Sequence, residues 1–111
     1  MARSEQLKRF SIHWVNLDPT IGHEIKKTRP AVIVSPDEMN AHLGTVLVAP
    51  LTTAMRNYPF RPSVEVNGTL GQVALDQLRA VDKVRIVKLL GILEKKYQDA
   101  MLDLLKEMFS R

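Results

Sequence analysis

The sequence predicts a mainly β domain, a small and strongly bent sheet or partial barrel capped by one C-terminal helix. Three observations carry this. Short apolar runs of strand length recur between Pro, Gly and Asn, as at Ala31–Val34 and Thr45–Ala49. Asn67-Gly68, set between alternating segments, is a strong hairpin signal. Helical periodicity is confined to the tail from Glu94 to Phe109, where Tyr97, Met101, Leu104, Leu105 and Met108 fall on one face.

In chain order, residues 1–9 are mostly polar and are expected to be frayed or loosely docked, as a flexible N-terminal extension. Ile12–Leu17 reads as the first strand, with His13 as an outward-facing residue. Asp18-Pro19-Thr20 ends it, because Pro lacks an N–H and Asp starts turns. A polar loop follows, carrying Gly22, His23, Glu24, Lys26, Lys27 and Arg29. Pro30 biases Arg29 toward extended backbone. The second strand, Ala31–Ser35, has four successive apolar residues, so both its faces should be covered. Pro36 ends it, and residues 37–44 make a turn or single helical turn closed by Gly44. Thr45–Ala49 is a third buried strand, closed by Pro50. Two prolines and an Asn keep the second polar loop, Leu51–Pro62, irregular. Ser63–Val66 alternates as a half-buried strand, its return strand lies near Gln72–Leu75, and a last strand runs Arg85–Leu90 before Gly91. Leu102 and Phe109 lie off the main helical face.

At 111 residues the chain is expected to be a single domain, 1–111. Its 45% hydrophobic and 25% charged fractions are those of an ordinary soluble globular protein, not a disordered one. The formal charge of +4 is compatible with an acidic or polyanionic partner and equally with plain solubility. With no cysteine, disulfides, thiolate zinc sites and thiol catalysis are excluded. No segment has signal-peptide or transmembrane character, so the cytoplasm is the expected location and no membrane is involved.

The three histidines, His13, His23 and His42, lack ligand spacing, so no metal site is expected. The glycines stand apart and form no phosphate cradle. What remains is a set of polar residues at or just past strand ends: Arg29, His23, Glu24, Thr52, Thr53 and Asp76. Glu24 or His23 can accept a proton, Arg29 can neutralise a phosphate, and a Thr hydroxyl can donate to a phosphate oxygen. Each also has a plainer reading. Glu24 beside two lysines can be a solvated charge, Thr52-Thr53 a turn pair, Asp76 a capping carboxylate, and Arg29 a partner for Asp18 or Glu24.

Beyond this chemistry, an ordered set of segments carries a family likeness. Trp14-Val15-Asn16-Leu17-Asp18-Pro19-Thr20-Ile21-Gly22-His23-Glu24 comes first, then Arg29-Pro30-Ala31-Val32-Ile33-Val34-Ser35-Pro36. Val48-Ala49-Pro50-Leu51-Thr52-Thr53, Tyr58-Pro59-Phe60 and Leu75-Asp76-Gln77 follow. Together they resemble the MazF/PemK (Kid) toxins of type II toxin–antitoxin systems over nearly the whole chain. The resemblance implies an SH3-like, CcdB/PemK-type β-barrel with a C-terminal helix, acting as a homodimer. It implies a sequence-specific endoribonuclease that cuts single-stranded mRNA and arrests growth, using no cofactor, and a cognate antitoxin with an acidic tail. Carried across by position, Arg29 and Thr52 match the catalytic arginine and threonine of the MazF members, and Glu24 a carboxylate near them. His23 and Asp76 match the histidine and aspartate of the Kid branch. That branch's arginine falls on Ala74, which favours the Arg29/Thr52 version. Phe10-Ser11 replaces the family's usual Gly-acidic pair, so the backbone before the first strand is expected to depart from the family's, since Phe does not readily take glycine's angles.

The implied reaction is attack of the RNA 2′-OH on the adjacent phosphorus, giving a 2′,3′-cyclic phosphate and a 5′-OH. Arg29, charged at any physiological pH, suits charge stabilisation better than proton transfer. Lys26, Lys27, Thr53, Arg56, Tyr58, Arg61 and Gln77 are candidate RNA contacts, Tyr58 by stacking. Phe60 reads equally as a stacking or a core residue. Two other readings stay open: a non-catalytic CcdB-like gyrase poison, and a catalytically inactive RNA-binding relative.

Overall fold

The expectation of two covered faces is met by β2 (Thr28–Ile33). In a computed structural model that describes residues 7–111, its residues alternate between two apolar clusters. Ala31 and Ile33 join Leu17, Val48 and Val81 in one. Val32 joins Ile12, Ala49, Val73 and Leu75 in the other. Full burial of each such side chain contributes about 1.5–3 kcal/mol, so an uninterrupted Ala-Val-Ile-Val run suits a strand enclosed on both sides.

The strands form one antiparallel sheet in the order β4 (Ser63–Val66), β5 (Thr69–Val73), β3 (Thr45–Thr52), β2, β1 (Ser11–Asn16), β7 (Ile86–Ile92). β3 is shared: residues 45–48 pair with β6 (Arg79–Asp82) and residues 51–52 with β5. This sharing curls the sheet into a half-barrel. α1 (Asp37–His42) is the short turn after β2. α2 (Lys95–Met108) closes the second cluster with Met101 fully buried and Tyr97, Leu104, Leu105 and Met108 packed around it. Leu102 and Phe109 stay outside that packing, with Phe109 exposed. Asn67 and Gly68 both have positive φ, as the tight β4–β5 turn requires.

Several expectations are corrected. His13 is buried, not outward, with Nε2 2.9 Å from Ser11 Oγ. It lies on the same face as Val15 and Leu17, which are buried in the first cluster, while Ile12 is buried in the second, so this part of β1 is covered on both faces. The extension assigned to residues 1–9 is docked where it is described: Leu7 is fully buried and its carbonyl accepts from Asn40 Nδ2 at 2.7 Å. Residues 1–6 lie outside the described residues. β2 begins at Thr28 and β3 runs on through Pro50, so prolines taken as boundaries sit within strands. Proline withholds only its N–H; the Pro50 carbonyl still accepts from Ala74 N. The return strand starts earlier, at Thr69, and β7 continues past Gly91. β6 was not anticipated.

Phe10 does adopt the left-handed backbone, at φ 74°. Its N–H donates to Ile33 O at 2.7 Å, its carbonyl accepts from Leu93 N, and its ring packs on the second cluster. Bonds on both sides hold a conformation that bulky residues avoid.

Candidate active site

Arg29 lies near the start of β2 and Thr52 at the end of β3. The β2–β3 register, with Ala31 opposite Pro50, runs toward this pair. Both line one cleft of about 290 Å³, with Thr53, Asn67 and Thr69 as further polar lining and Ile12, Val64, Leu70 and Leu90 among its apolar walls. Arg29 Nε donates to the Lys26 carbonyl at 2.7 Å. That bond fixes the guanidinium and uses one N–H of the five, leaving the terminal groups for a phosphate. Thr52 Oγ1 accepts from Ala54 N at 3.1 Å, so its own proton remains to be donated. Gly71, on β5, brings its backbone against Thr52: a Cβ there would lie 2.8 Å from the Thr52 carbonyl oxygen.

The other candidates line a second cleft, of about 400 Å³, between the β1–β2 loop and the 3-10 turn Leu75–Gln77. It holds His23, Glu24, Asp76 and Gln77. Glu24 Oε1 accepts from Ile21 N at 2.6 Å and closes its own turn. The Gln77 amide ties the loop down, accepting from Ile25 N at 2.6 Å and donating to His23 O at 3.3 Å. Arg79 donates to Leu17 O at 3.0 Å, and Arg85 to Asn16 O at 3.3 Å and to Asp18 O. Asp18 Oδ1 accepts from Lys27 N at 3.1 Å. The loop is thus fixed at its start by Arg79 and Arg85, further along by Gln77 and at its end by its own Asp18, while Lys26 and Lys27 remain exposed.

Asp76 pairs with Arg61 in a two-pronged bridge, 2.8 and 3.0 Å. The bonded guanidinium holds the Asp76 carboxyl below the usual range, against a smaller opposing effect of burial. Arg61, in turn, carries the Tyr58 ring at 4.8 Å from its centre. Phe60 packs on the second core cluster and is thereby a core residue. Arg56 is exposed, with its backbone held by Gln72. The candidates therefore divide: Arg29, Thr52 and Thr53 share one cleft, while His23, Glu24, Asp76 and Gln77 share another. The sequence reading overlooked Gln72 and Gly71. An isolated glycine in a strand-like segment does point to a close backbone approach.

Residues 8–109 match the family described as PemK-like, MazF-like toxin of type II toxin-antitoxin system. The chain belongs to this family. It is 37% identical over 68 residues to the Endoribonuclease toxin MazF of Escherichia coli (strain K12), a match covering 61% of each chain. Against the Endoribonuclease PemK of Escherichia coli it is 38% identical over 85 residues, 72% of this chain and 64% of that one. The chain thus spans somewhat under two thirds of these relatives' length. The crystal structure of MazF (Form-I) from Deinococcus radiodurans superposes with a TM-score of 0.80 at 26% identity, covering 91% of this chain and 94% of the other. That agreement extends the PemK/MazF-like assignment to the curled sheet and its C-terminal helix. Among the described residues of this family member no helix is long and apolar enough to cross a membrane.

Proposed function

We propose that this protein is the toxin of a toxin–antitoxin pair and a sequence-specific endoribonuclease that cuts single-stranded mRNA. The observation that carries the reading is the shared cleft of Arg29 and Thr52, a guanidinium and a hydroxyl proton facing one space. The RNA 2′-OH attacks the adjacent phosphorus and the bond to the 5′ oxygen breaks. A 2′,3′-cyclic phosphate and a 5′-OH result. Arg29 offsets the charge that grows on the phosphorane oxygens, and Thr52 donates to one of them. Glu24, on the neighbouring second cleft, is the candidate acceptor of the 2′-OH proton through the oxygen that does not close the Ile21 turn, and the leaving 5′ oxygen takes a proton from solvent. Asp76 is less suited to that task, because the Arg61 bridge keeps it a weak base. DNA lacks the attacking hydroxyl, so RNA is the substrate.

The proposed cleft is lined by a guanidinium, hydroxyls and an amide, and its lining includes none of the carboxylates or imidazoles that usually anchor a catalytic divalent cation. Metal-free catalysis is therefore part of the proposal. So are a homodimer and an acidic antitoxin. β7 is an edge strand that leaves Val87, Leu89 and Ile92 exposed, an apolar edge suited to a second copy. Lys26, Lys27, Arg29 and Arg56 offer positive charge to an RNA strand or an acidic tail alike.

The test is incubation with a long single-stranded RNA in excess EDTA, with both ends of each product mapped. Cleavage to 2′,3′-cyclic phosphate and 5′-OH ends is expected. A single 2′-deoxy nucleotide on the 5′ side of the cut should block it. A strict need for Mg²⁺ or Zn²⁺, or efficient cutting at the 2′-deoxy position, overturns this mechanism.

A further inference from the structure

A three-tiered stack runs outward from the second cleft. Asp76 lines that cleft, and both its carboxylate oxygens are taken by one guanidinium. The Arg61 side chain is 8% exposed, against 41% for Asp76. Above Arg61, at 4.8 Å, lies the Tyr58 ring, and Tyr58 is 53% exposed. A planar fork bonded at two points has a fixed plane, so a ring resting on it has a fixed plane too. The segment bearing Tyr58 and Arg61 lacks regular structure, yet it is anchored on either side of Tyr58. The Gln72 amide bonds both the N–H and the carbonyl of Arg56, at 3.1 and 2.9 Å, and Phe60 packs into the second core cluster.

An exposed aromatic ring on an irregular segment would ordinarily lose conformational freedom on binding. Here that freedom is already removed in the unliganded protein, which is preorganisation. One face of the ring is covered by Arg61, and the exposure of Tyr58 is on its remaining surface. The charges of Arg61 and Asp76 cancel within the bridge. The stack therefore presents an aromatic plane, not a net cation, to what approaches it. That chemistry fits the flat face of an unpaired base and not a phosphate.

We propose that Tyr58 is the stacking platform for one unpaired base of the RNA, and that Arg61 and Asp76 are positioning residues holding its ring. The proposal rests on the ribonuclease reading above and deepens it. It also changes the part given to Arg61, from a direct RNA contact to a support beneath a base contact.

The experiment uses the full-length protein and RNA spanning the cut site mapped above. For binding, the RNA is made non-cleavable by one 2′-deoxy substitution and carries 2-aminopurine at one position at a time; for KM and kcat, the all-ribose RNA is used. In the wild type, one labelled position should be quenched on binding, as stacking quenches this base. Tyr58→Leu should abolish that quenching and raise KM roughly 5- to 150-fold, the range for a lost base–aromatic stack, with the loss falling on KM more than kcat. Tyr58→Phe, which keeps the ring, should restore both. Arg61→Lys, which keeps the charge but not the fork, should weaken quenching. Tyr58 is exposed, so its two variants decide the matter even where Arg61→Lys fails to fold. Unchanged binding by Tyr58→Leu, no quenched position in the wild type, or Tyr58→Phe as impaired as Tyr58→Leu each overturns the platform while wild-type cleavage leaves the ribonuclease reading standing. A wild type that neither binds nor cuts RNA overturns that reading, and the platform with it.

Discussion

The two clefts draw on neighbouring parts of the same sheet, yet their polar groups are committed differently. In the first, Arg29 spends one N–H on the Lys26 carbonyl and Thr52 only accepts a bond, so donors remain for a ligand. In the second, Gln77 is occupied at both ends of its amide, Asp76 at both oxygens, and Glu24 at one. The first cleft keeps donors in reserve; the second uses its polar groups to hold the β1–β2 loop and the loop after β3. Polar groups are thus left free for a ligand in one place and committed to architecture in the other. What separates them is hydrogen-bond accounting in three dimensions.

The largest expected effect breaks or upholds this division directly. Arg29→Ala and Thr52→Ala should each lower RNA cleavage by roughly 10²-fold or more, the usual loss of a transition-state donor, with an unchanged melting curve. Arg29→Lys should fail to restore it, because a point charge does not replace a planar fork. Glu24→Gln can keep the bond to Ile21 N while losing the ability to take a proton. It should cost less, on the order of 10-fold, below the usual range for a sole general base. If single-turnover rates show Glu24→Gln falling further than Arg29→Ala, the chemistry belongs to the second cleft and the comparison is reversed.

A second test reaches the first cleft without touching its polar groups. Gly71→Ala would put a Cβ 2.8 Å from the Thr52 carbonyl oxygen, so β3 must shift where it carries Thr52. Displacements of that size at a positioned group cost up to roughly 10²-fold in rate. The loss should appear in kcat, and a wild-type kcat would show that Thr52 tolerates displacement and is not a positioned donor.

Smaller again is the effect of the exposed lysines on the loop between the clefts. Lys26→Gln with Lys27→Gln should slow RNA association several-fold at low salt and leave stability nearly unaltered. Raising ionic strength should shrink the difference, since the attraction is screened. An acidic antitoxin peptide should show the same dependence and compete with RNA. Simultaneous binding of both in a gel-shift titration would remove the shared positive surface.

Strand and helix positions were largely legible because periodicity reports burial, and the α2 face was read residue by residue. Boundaries at Pro30 and Pro50 were misread because a proline's effect depends on where its missing N–H would have pointed. His13 was misread because β1 is covered on both faces over its first half: His13 shares a face with the buried Val15 and Leu17, while the buried Ile12 lies on the other. β6 went unseen since Arg79–Asp82 is short and only Val81 is buried. At the site, the pairing of Arg29 with Thr52 was readable through the family likeness. The Arg61–Asp76 bridge was not, as it joins residues 15 apart across the β4–β5 hairpin, from an irregular segment to a 3-10 turn.

The smallest effect concerns that bridge and separates its charge from its shape. The Asp76 carboxyl is depressed chiefly by its bond to Arg61. A carboxylate whose folded pKa lies below its unfolded value, about 3.9, stabilises the protein above that value and loses the contribution as pH falls through the folded pKa. Asp76 is 41% exposed, so the contribution is that of a partly screened pair, about 1 kcal/mol or less. Asp76→Asn, which retains an acceptor of nearly the same shape, should therefore melt slightly below wild type at pH 7. The gap should narrow as the pH falls below the unfolded value and through the depressed folded one, where the wild-type side chain itself takes up a proton. Melting curves at pH 7 and near pH 2.5 make the comparison. A gap of equal size at both would mean that the aspartate acts through packing, and the second cleft would then owe its order to the Gln77 amide and the two backbone-binding arginines, Arg79 and Arg85.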